Sequence, residues 1–241
     1  MPSAMVPFSK LPKPESITVA KDRGTAYGYD VILTEECMEF CHRYATKMHE
    51  VSGCVNINHA MSGKKGEFVT CAVFMHLAEK LKSMKMKVIH HGFRSEYSYD
   101  EEHFKDDMMM VMGKREHVQF EIKTSACNDL ENRRPGGLSC SFDSILIKMV
   151  YIFCLAPKEN PNHVRIIGCA TPNHLRRHCI IRHRGDIMSN KGGVIKERRL
   201  TDWSIRCRNM IPLTEGTVED LKFRRYKKMD IKYNDIGGKV R

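Results

Sequence analysis

The sequence lacks any apolar stretch long enough to cross a membrane. A membrane-spanning helix needs roughly 18 consecutive apolar residues, whereas the longest apolar stretch here, from Ile145 to Ala156, is interrupted by Lys148. The N-terminal residues also lack the basic start and apolar core of a signal peptide. These absences argue against membrane-spanning and secreted proteins, and we expect a soluble, cytoplasmic protein with no membrane partner.

Disulfide signatures are also missing, although the chain contains 10 cysteines. No two cysteines form a Cys-x-x-Cys pair, and Cys154 and Cys169 lie inside apolar runs, as buried thiols do. A reducing cytosol explains this pattern better than a disulfide framework does. Cys37, Cys41 and His42 could begin a zinc site, but no second pair of ligands has suitable spacing. We therefore do not predict a zinc site.

The histidines carry no recognisable catalytic signature. The chain contains 12 histidines but no His-Asn-His motif with its flanking spacing. His90 and His91 follow each other in a predicted strand, so their side chains point to opposite faces. We expect them to have core or surface roles.

The charge of the chain favours polyanionic partners. Lys and Arg outnumber Asp and Glu by 40 to 29, which gives a formal net charge of +11 over 241 residues. Such a surface favours nucleic acid first and an acidic membrane surface second. The alternative is a soluble protein that is merely basic. Because hydrophobic residues make up 41% of the chain, a disordered or fibrous protein is excluded.

Hydrophobic periodicity predicts an α/β or α+β domain with a mixed central sheet flanked by helices. Residues 1–16 are predicted to be a flexible or loosely docked arm, and residues 17–241 to form one domain. Helices are predicted at 34–50, 67–84 and about 218–228, strands at 87–93, 145–155 and 164–170, and loops at 52–66 and 125–141. Thr171 followed by Pro172 predicts the start of a further helix.

One stretch of the sequence carries a pattern of catalytic side chains. Asp107 opens an apolar run, a short polar turn follows, and the next apolar run contains Glu121-Ile-Lys123. Read as a hairpin, the two runs bring two carboxylates and one ammonium group together. Because side chains alternate along a strand, Glu121 and Lys123 share one face and Ile122 points into the core on the other.

This set of side chains suits phosphodiester hydrolysis. One or two carboxylates, here Asp107 and Glu121, can hold Mg²⁺ and leave its other positions to water and phosphate oxygens. Lys123 would then orient or stabilise the attacking water. The alternative is an exposed strand face with a weak ion pair. Two similar tripeptides, Asp220-Leu-Lys222 and Asp230-Ile-Lys232, follow no apolar strand headed by an acid.

These residues and their hairpin spacing resemble the PD-(D/E)XK nuclease superfamily. The resemblance covers about residues 66–170 and implies a restriction-endonuclease-like core, with a basic C-terminal extension beyond it. It implies a Mg²⁺-dependent deoxyribonuclease, with Mn²⁺ as a substitute and internal cleavage favoured over cleavage from an end. It also implies that the protein could be virus-encoded, as phage-type members are, and act in a host cell.

The resemblance also bears on two acidic residues outside the Glu-Ile-Lys tripeptide. Asp106 stands where the family often has proline, and we prefer Asp107 as the ligand because it directly abuts the apolar strand. The family commonly places a glutamate on the preceding helix, facing the metal. Glu67 matches that role, as a ligand of a second metal ion or of its water shell. The alternative is an acid that complements the helix dipole.

Basic residues outside the motif are candidate DNA contacts. They are Arg133 and Arg134 in the predicted loop and Arg176, Arg177, Arg182 and Arg184 after the last core strand. Phosphate contact and a solvated basic face both fit these arginines. The main functional alternative is a DNA-binding protein that does not cleave. A homodimer would be needed to cut both strands at a palindrome, and the sequence leaves the oligomeric state open.

Overall fold

A seven-stranded mixed sheet forms the centre of the fold. The computed structural model describes residues 10–52, 56–81, 86–90, 93, 107–112, 116–128, 130, 138–142, 145, 149–189, 195–197 and 201–218. The elements are β1 (Ser16–Asp22), β2 (Thr25–Ile32), α1 (Glu35–Ser52), α2 (Ile57–Lys80), β3 (Met86–His90), β4 (Met108–Met112), β5 (Glu116–Cys127), β6 (Ser139–Phe142), β7 (Met149–Pro157), β8 (His163–Ala170), α3 (Pro172–His178), β9 (Ile180–Arg182), β10 (Ile187–Ser189), β11 (Ile195–Glu197) and β12 (Asp202–Arg206). In the described residues, no helix is long and apolar enough to span a membrane.

The strand order in the central sheet is β1-β2-β8-β7-β5-β4-β3. Strands β5 and β7 are parallel, and the other neighbours run antiparallel. Two smaller sheets, β6-β12-β9 and β10-β11, complete the described strands. The predicted mixed central sheet flanked by helices is therefore confirmed.

Strand β7 lies between two apolar cores and is buried along its whole length. Val150, Ile152 and Cys154 point to the face covered by α1 and α2. Tyr151 and Phe153 point to the opposite face, where α3 and the sheet β6-β12-β9 pack. The near-continuous apolar sequence of β7 is what a strand buried on both faces requires.

Helix α1 agrees with the sequence prediction, whereas the predicted loop at 52–66 is wrong over most of its length. Thr34 caps α1, since its hydroxyl accepts a hydrogen bond of 3.3 Å from the amide of Cys37. Helix α2 begins at Ile57, directly after the N-cap residue Asn56. Gly63 and Gly66 lower the intrinsic helix propensity of this stretch, but its packing overrides that preference. Lys64, Lys65 and Gly66 are all buried.

Gly66 shows how closely α2 approaches the sheet. A Cβ atom at this position would lie 1.9 Å from Oγ1 of Thr124 on β5. Only glycine permits this approach, since the hydrogen in place of Cβ removes the clash. In the sequence Gly66 resembles a loop signal, but in the structure it is the position where α2 packs closely against β5.

The predicted strands at 145–155 and 164–170 correspond to β7 and β8, and the hairpin of β4 and β5 is confirmed with Met108 opposite Phe120. Thr171 caps α3 as predicted, with Pro172 as the first helical residue. Strands β1 and β2 were not predicted. The predicted loop at 125–141 is wrong at both ends, because β5 continues to Cys127 and β6 begins at Ser139. Of the predicted helix at 218–228, all but Val218 lies outside the described residues.

The described part of the predicted N-terminal arm is docked onto the domain. Leu11 packs against the core on the helical side. The carbonyl of Lys13 accepts a hydrogen bond of 3.3 Å from the Thr34 hydroxyl. The amide of Glu15 donates to the carbonyl of Ile32 over 2.9 Å. These contacts connect the arm to β2 and to the start of α1.

Candidate active site

Asp107 is hydrogen bonded to the residues directly before and after Glu121. The amide of Asp107 donates to the carbonyl of Phe120 over 3.0 Å, and the amide of Ile122 donates to Oδ2 of Asp107 over 2.6 Å. Strand β4 begins just after Asp107, while β5 continues beside β7 to Cys127. We call this place, where the chain enters β4 beside β5, the notch.

Glu121 and Lys123 lie on one face of β5 at the notch, as predicted. Oε1 of Glu121 is 2.6 Å from Nζ of Lys123, and the two side chains are 16% and 31% exposed. Ile122 points to the opposite face and packs in the core under α2. The ion pair that the non-catalytic interpretation expects is present, but Glu121 is mostly buried and a second carboxylate lies beside it.

Glu67 lies in the interior of α2 and not in its first turn, which corrects the sequence analysis. A position so far from the helix start excludes the interpretation that Glu67 complements the dipole, because that effect fades within the first turn. Its carboxylate accepts from Nζ of Lys64 over 2.7 and 3.0 Å. Both side chains are largely buried.

The electrostatics place Glu67 and Glu121 each near Asp107. Burial raises the pKa of Asp107 well above its usual value, and the negative charges of Glu67 and Glu121 raise it further. The Ile122 amide and the charge of Lys64 act in the opposite direction. The carboxylates of Glu67 and Glu121 therefore both act on Asp107 at the notch, and each of them is paired with a lysine.

Comparison with protein-family models, curated proteins and solved structures found no match.

The carboxylate oxygens of the notch are of the chemical type that binds a hard divalent cation. Asp and Glu oxygens are the ligands that Mg²⁺ prefers, and a cation would relieve the repulsion that raises the pKa of Asp107. Among the described residues, however, no three His, Cys, Asp or Glu side chains are grouped closely enough to hold a metal ion. Glu67 and Glu121 are instead each paired with a lysine.

Basic residues follow β8, whose last residue lies in line with Glu121 across the sheet. Glu121 pairs with Tyr151 on β7, and Tyr151 pairs with Ala170 at the end of β8. Since neighbouring strands are about 4.8 Å apart, Ala170 lies roughly 10 Å from Glu121 across the sheet. Helix α3 starts immediately beyond Ala170 and carries Arg176 and Arg177 in its last turn.

The other predicted arginines are only partly covered by the structure. Arg177 and Arg184 are exposed, while Arg176 and Arg182 are partly buried. Arg176 donates to Oδ1 of Asn173 over 3.1 Å. Arg133 and Arg134, together with Asp106, lie outside the described residues.

Lys64 was not predicted from the sequence as a residue of the site. It stands three residues before Glu67, so the two side chains meet on one face of a helix. That spacing is visible in the sequence, but the prediction of a loop at 52–66 concealed it.

No disulfide links the described cysteines. His90 is buried in the core beside Phe93.

Proposed function

We propose that this protein is a magnesium-dependent deoxyribonuclease. The proposal rests on the hydrogen bonds that Asp107 makes with the residues before and after Glu121. It also rests on Lys123, which lies on the same face as Glu121 with its Nζ 2.6 Å from Oε1 of Glu121. Strands hold such groups more rigidly than loops do, and a rigid arrangement lowers the barrier for a positioned reaction.

Asp107 and Glu121 are the residues that would hold Mg²⁺, with Glu67 supporting a second ion or its water shell. Bound magnesium supplies charge relief on the phosphate and lowers the pKa of an attacking water. Manganese, which also takes oxygen ligands, is expected to substitute. Lys123 would orient the water and stabilise hydroxide, after it exchanges part of its contact with Glu121 for the reacting groups.

The finer fold proposal is a restriction-endonuclease-like core. The antiparallel pair β4–β5, the parallel pair β5–β7 and the helix α2 packed under the notch support it. DNA is the proposed substrate because the chain carries a net charge of +11 and because Arg176 and Arg177 follow the row of Glu121. Internal cleavage is favoured over cleavage from an end, and a homodimer would allow both strands of a palindrome to be cut.

The second candidate function is DNA binding without cleavage. The exposed arginines Arg177 and Arg184 would serve it equally well. DNA binding differs from DNA cleavage in one respect, because binding does not require the Glu121–Lys123 pair.

The test is cleavage of supercoiled plasmid and of linear DNA, each with Mg²⁺ and with a chelator. We expect metal-dependent nicking of the plasmid, and we expect Lys123→Ala to lower the rate by about 10²- to 10⁴-fold, the range for loss of a proton-transfer group. Lys80→Ala is the matched control, because Lys80 also pairs with a glutamate, Glu215, but on the surface. Salt-sensitive binding without cutting in any divalent metal would favour the second function. If neither cutting nor binding occurs, both proposals are wrong.

A further inference from the structure

We propose that Lys64 is a positioning residue of the nuclease reaction, which holds the Glu67 carboxylate in place at the notch. The inference rests on the proposed function and adds to it a residue outside the acid-acid-lysine set. Lys64 would act through Glu67 and would not touch the substrate.

The contact between the two side chains fixes both oxygens of the carboxylate. Nζ of Lys64 lies 3.0 Å from Oε1 and 2.7 Å from Oε2 of Glu67. A single contact would let the carboxylate rotate about its remaining bond, whereas contacts to both oxygens restrict that rotation. Because the residues are one turn apart on α2, the rigid helix backbone sets the separation of the two side chains.

The surroundings of Lys64 bury its side chain beside an aromatic ring. The Lys64 side chain is 5% exposed, and its Nζ lies 5.7 Å from the centre of the Phe93 ring. Phe93 is itself fully buried and packs against Phe40 and Tyr44 of α1. An ammonium group over an aromatic face is attracted by the ring. Burial and the aromatic contact therefore both oppose a movement of the Lys64 side chain into solvent.

A second lysine on the same helix shows what an ordinary pair looks like. Lys80 approaches only one oxygen of Glu215, at 3.2 Å, and the two side chains are 47% and 48% exposed. Exposed pairs of this kind contribute little and are screened by salt. The Lys64–Glu67 pair is therefore shielded from solvent, whereas the Lys80–Glu215 pair is not.

Lys64 also determines what Glu67 can do next to Asp107. Without the ammonium group, Glu67 would be a largely buried carboxylate beside Asp107, and turning outward to water would lower its energy. Such a movement would remove Glu67 from the notch. The lysine thus keeps the Glu67 carboxylate in a largely buried place near Asp107.

The experiment compares Lys64→Met, Lys64→Arg and the control Lys80→Met with the wild type in plasmid nicking with Mg²⁺. We expect Lys64→Met to lower kcat by roughly 10- to 100-fold, the cost of displacing a catalytic group by about 1 Å. The KM for DNA should change by less than about twofold, because Lys64 would make no contact with DNA. Lys64→Arg should recover most of kcat, and Lys80→Met should resemble the wild type. A folded Lys64→Met protein with wild-type kcat would overturn the inference.

A double substitution keeps the inference testable if Lys64→Met does not fold. Met and Gln replace the ion pair of Lys64 and Glu67 by neutral side chains of similar size, so the combined variant leaves no buried charge uncompensated. We expect the double variant to be as active as Glu67→Gln alone, because a residue that acts only through Glu67 has nothing left to position. An additional tenfold loss in the double variant would contradict this. A wild type without metal-dependent cutting would refute the proposed function itself, which is a separate outcome.

Discussion

Replacing Asp107 by asparagine should make the protein more stable and inactive. Burial and the charges of Glu67 and Glu121 raise the pKa of Asp107, so the charged carboxylate is unfavourable in the folded state. Asparagine has nearly the same shape and carries no charge. Its side-chain oxygen can still accept the hydrogen bond that the amide of Ile122 donates over 2.6 Å. The substitution therefore removes the repulsion and keeps the contact.

The sign of the pH dependence follows from the direction of the shift. A carboxyl group whose pKa is raised by folding stabilises the protein below its usual pKa of 3.8, and this contribution is lost as the pH rises through the higher folded value. Asp107→Asn should therefore have little advantage near pH 4 and its full advantage at neutral pH and above. We expect a gain on the order of 1 kcal/mol, which is about 2–4 °C in Tm for a chain of this size.

The assay is thermal unfolding of Asp107→Asn, Asp107→Ala and the wild type between pH 4 and pH 8, in chelator. Alanine removes the acceptor as well as the charge, and an unsatisfied buried amide costs about 1–3 kcal/mol, so it should cancel the gain. With Mg²⁺, only the wild type should gain stability, since the variants lack one ligand. A Tm of Asp107→Asn at or below that of the wild type at pH 8, or a difference independent of pH, would refute the reasoning.

Two further predictions concern the support of the site and of the sheet. Gly66→Ala should destabilise the protein by about 1–3 kcal/mol in denaturant unfolding, the usual cost of overpacking, because its Cβ would meet Thr124 at 1.9 Å. Adding Thr124→Ala should recover part of that loss, and no recovery would argue against a clash. Asp30 accepts hydrogen bonds of 2.7 Å from both His163 and Arg165, and these contacts lower its pKa although burial alone would raise it. Because the stability from a lowered pKa is present above 3.8 and lost as pH falls, Asp30→Asn should cost about 1.5–3 kcal/mol at pH 7 and flatten the acid limb of the stability curve. An unchanged acid limb would contradict that account.

Strong local patterns could be read from the sequence. The apolar run of β7, the capping of α3 by Thr171 and Pro172, and the hairpin of β4 and β5 all follow from periodicity and turn chemistry. The common face of Glu121 and Lys123 follows from strand alternation alone. These features depend on neighbours in sequence, which is why they could be predicted.

Features that depend on distant packing could not. The first turns of α2 contain Gly63 and Gly66 and resemble a loop, yet they are helical because they pack against α1 and β5. The same error concealed Lys64. Strands β1 and β2 lie at one side of the sheet, where β2 pairs with β8 from far along the chain. The pairing of β2 with β8 leaves no signal in the local pattern, whereas the hairpin of β1 and β2 turns at Arg23 and Gly24, a local signal that was overlooked.

The position of β5 within the sheet determines how the site can move. At Glu121 the strand is hydrogen bonded to β7 on one side and held by Asp107 on the other, and β7 is buried on both faces. Segments with such surroundings exchange their amide hydrogens slowly, since they open only when the whole domain unfolds. The carboxylate of Asp107 and the strand beneath Glu121 therefore cannot adapt to a substrate by local opening. If DNA is the substrate, we expect the DNA to bend or fray in order to bring its phosphate to the notch.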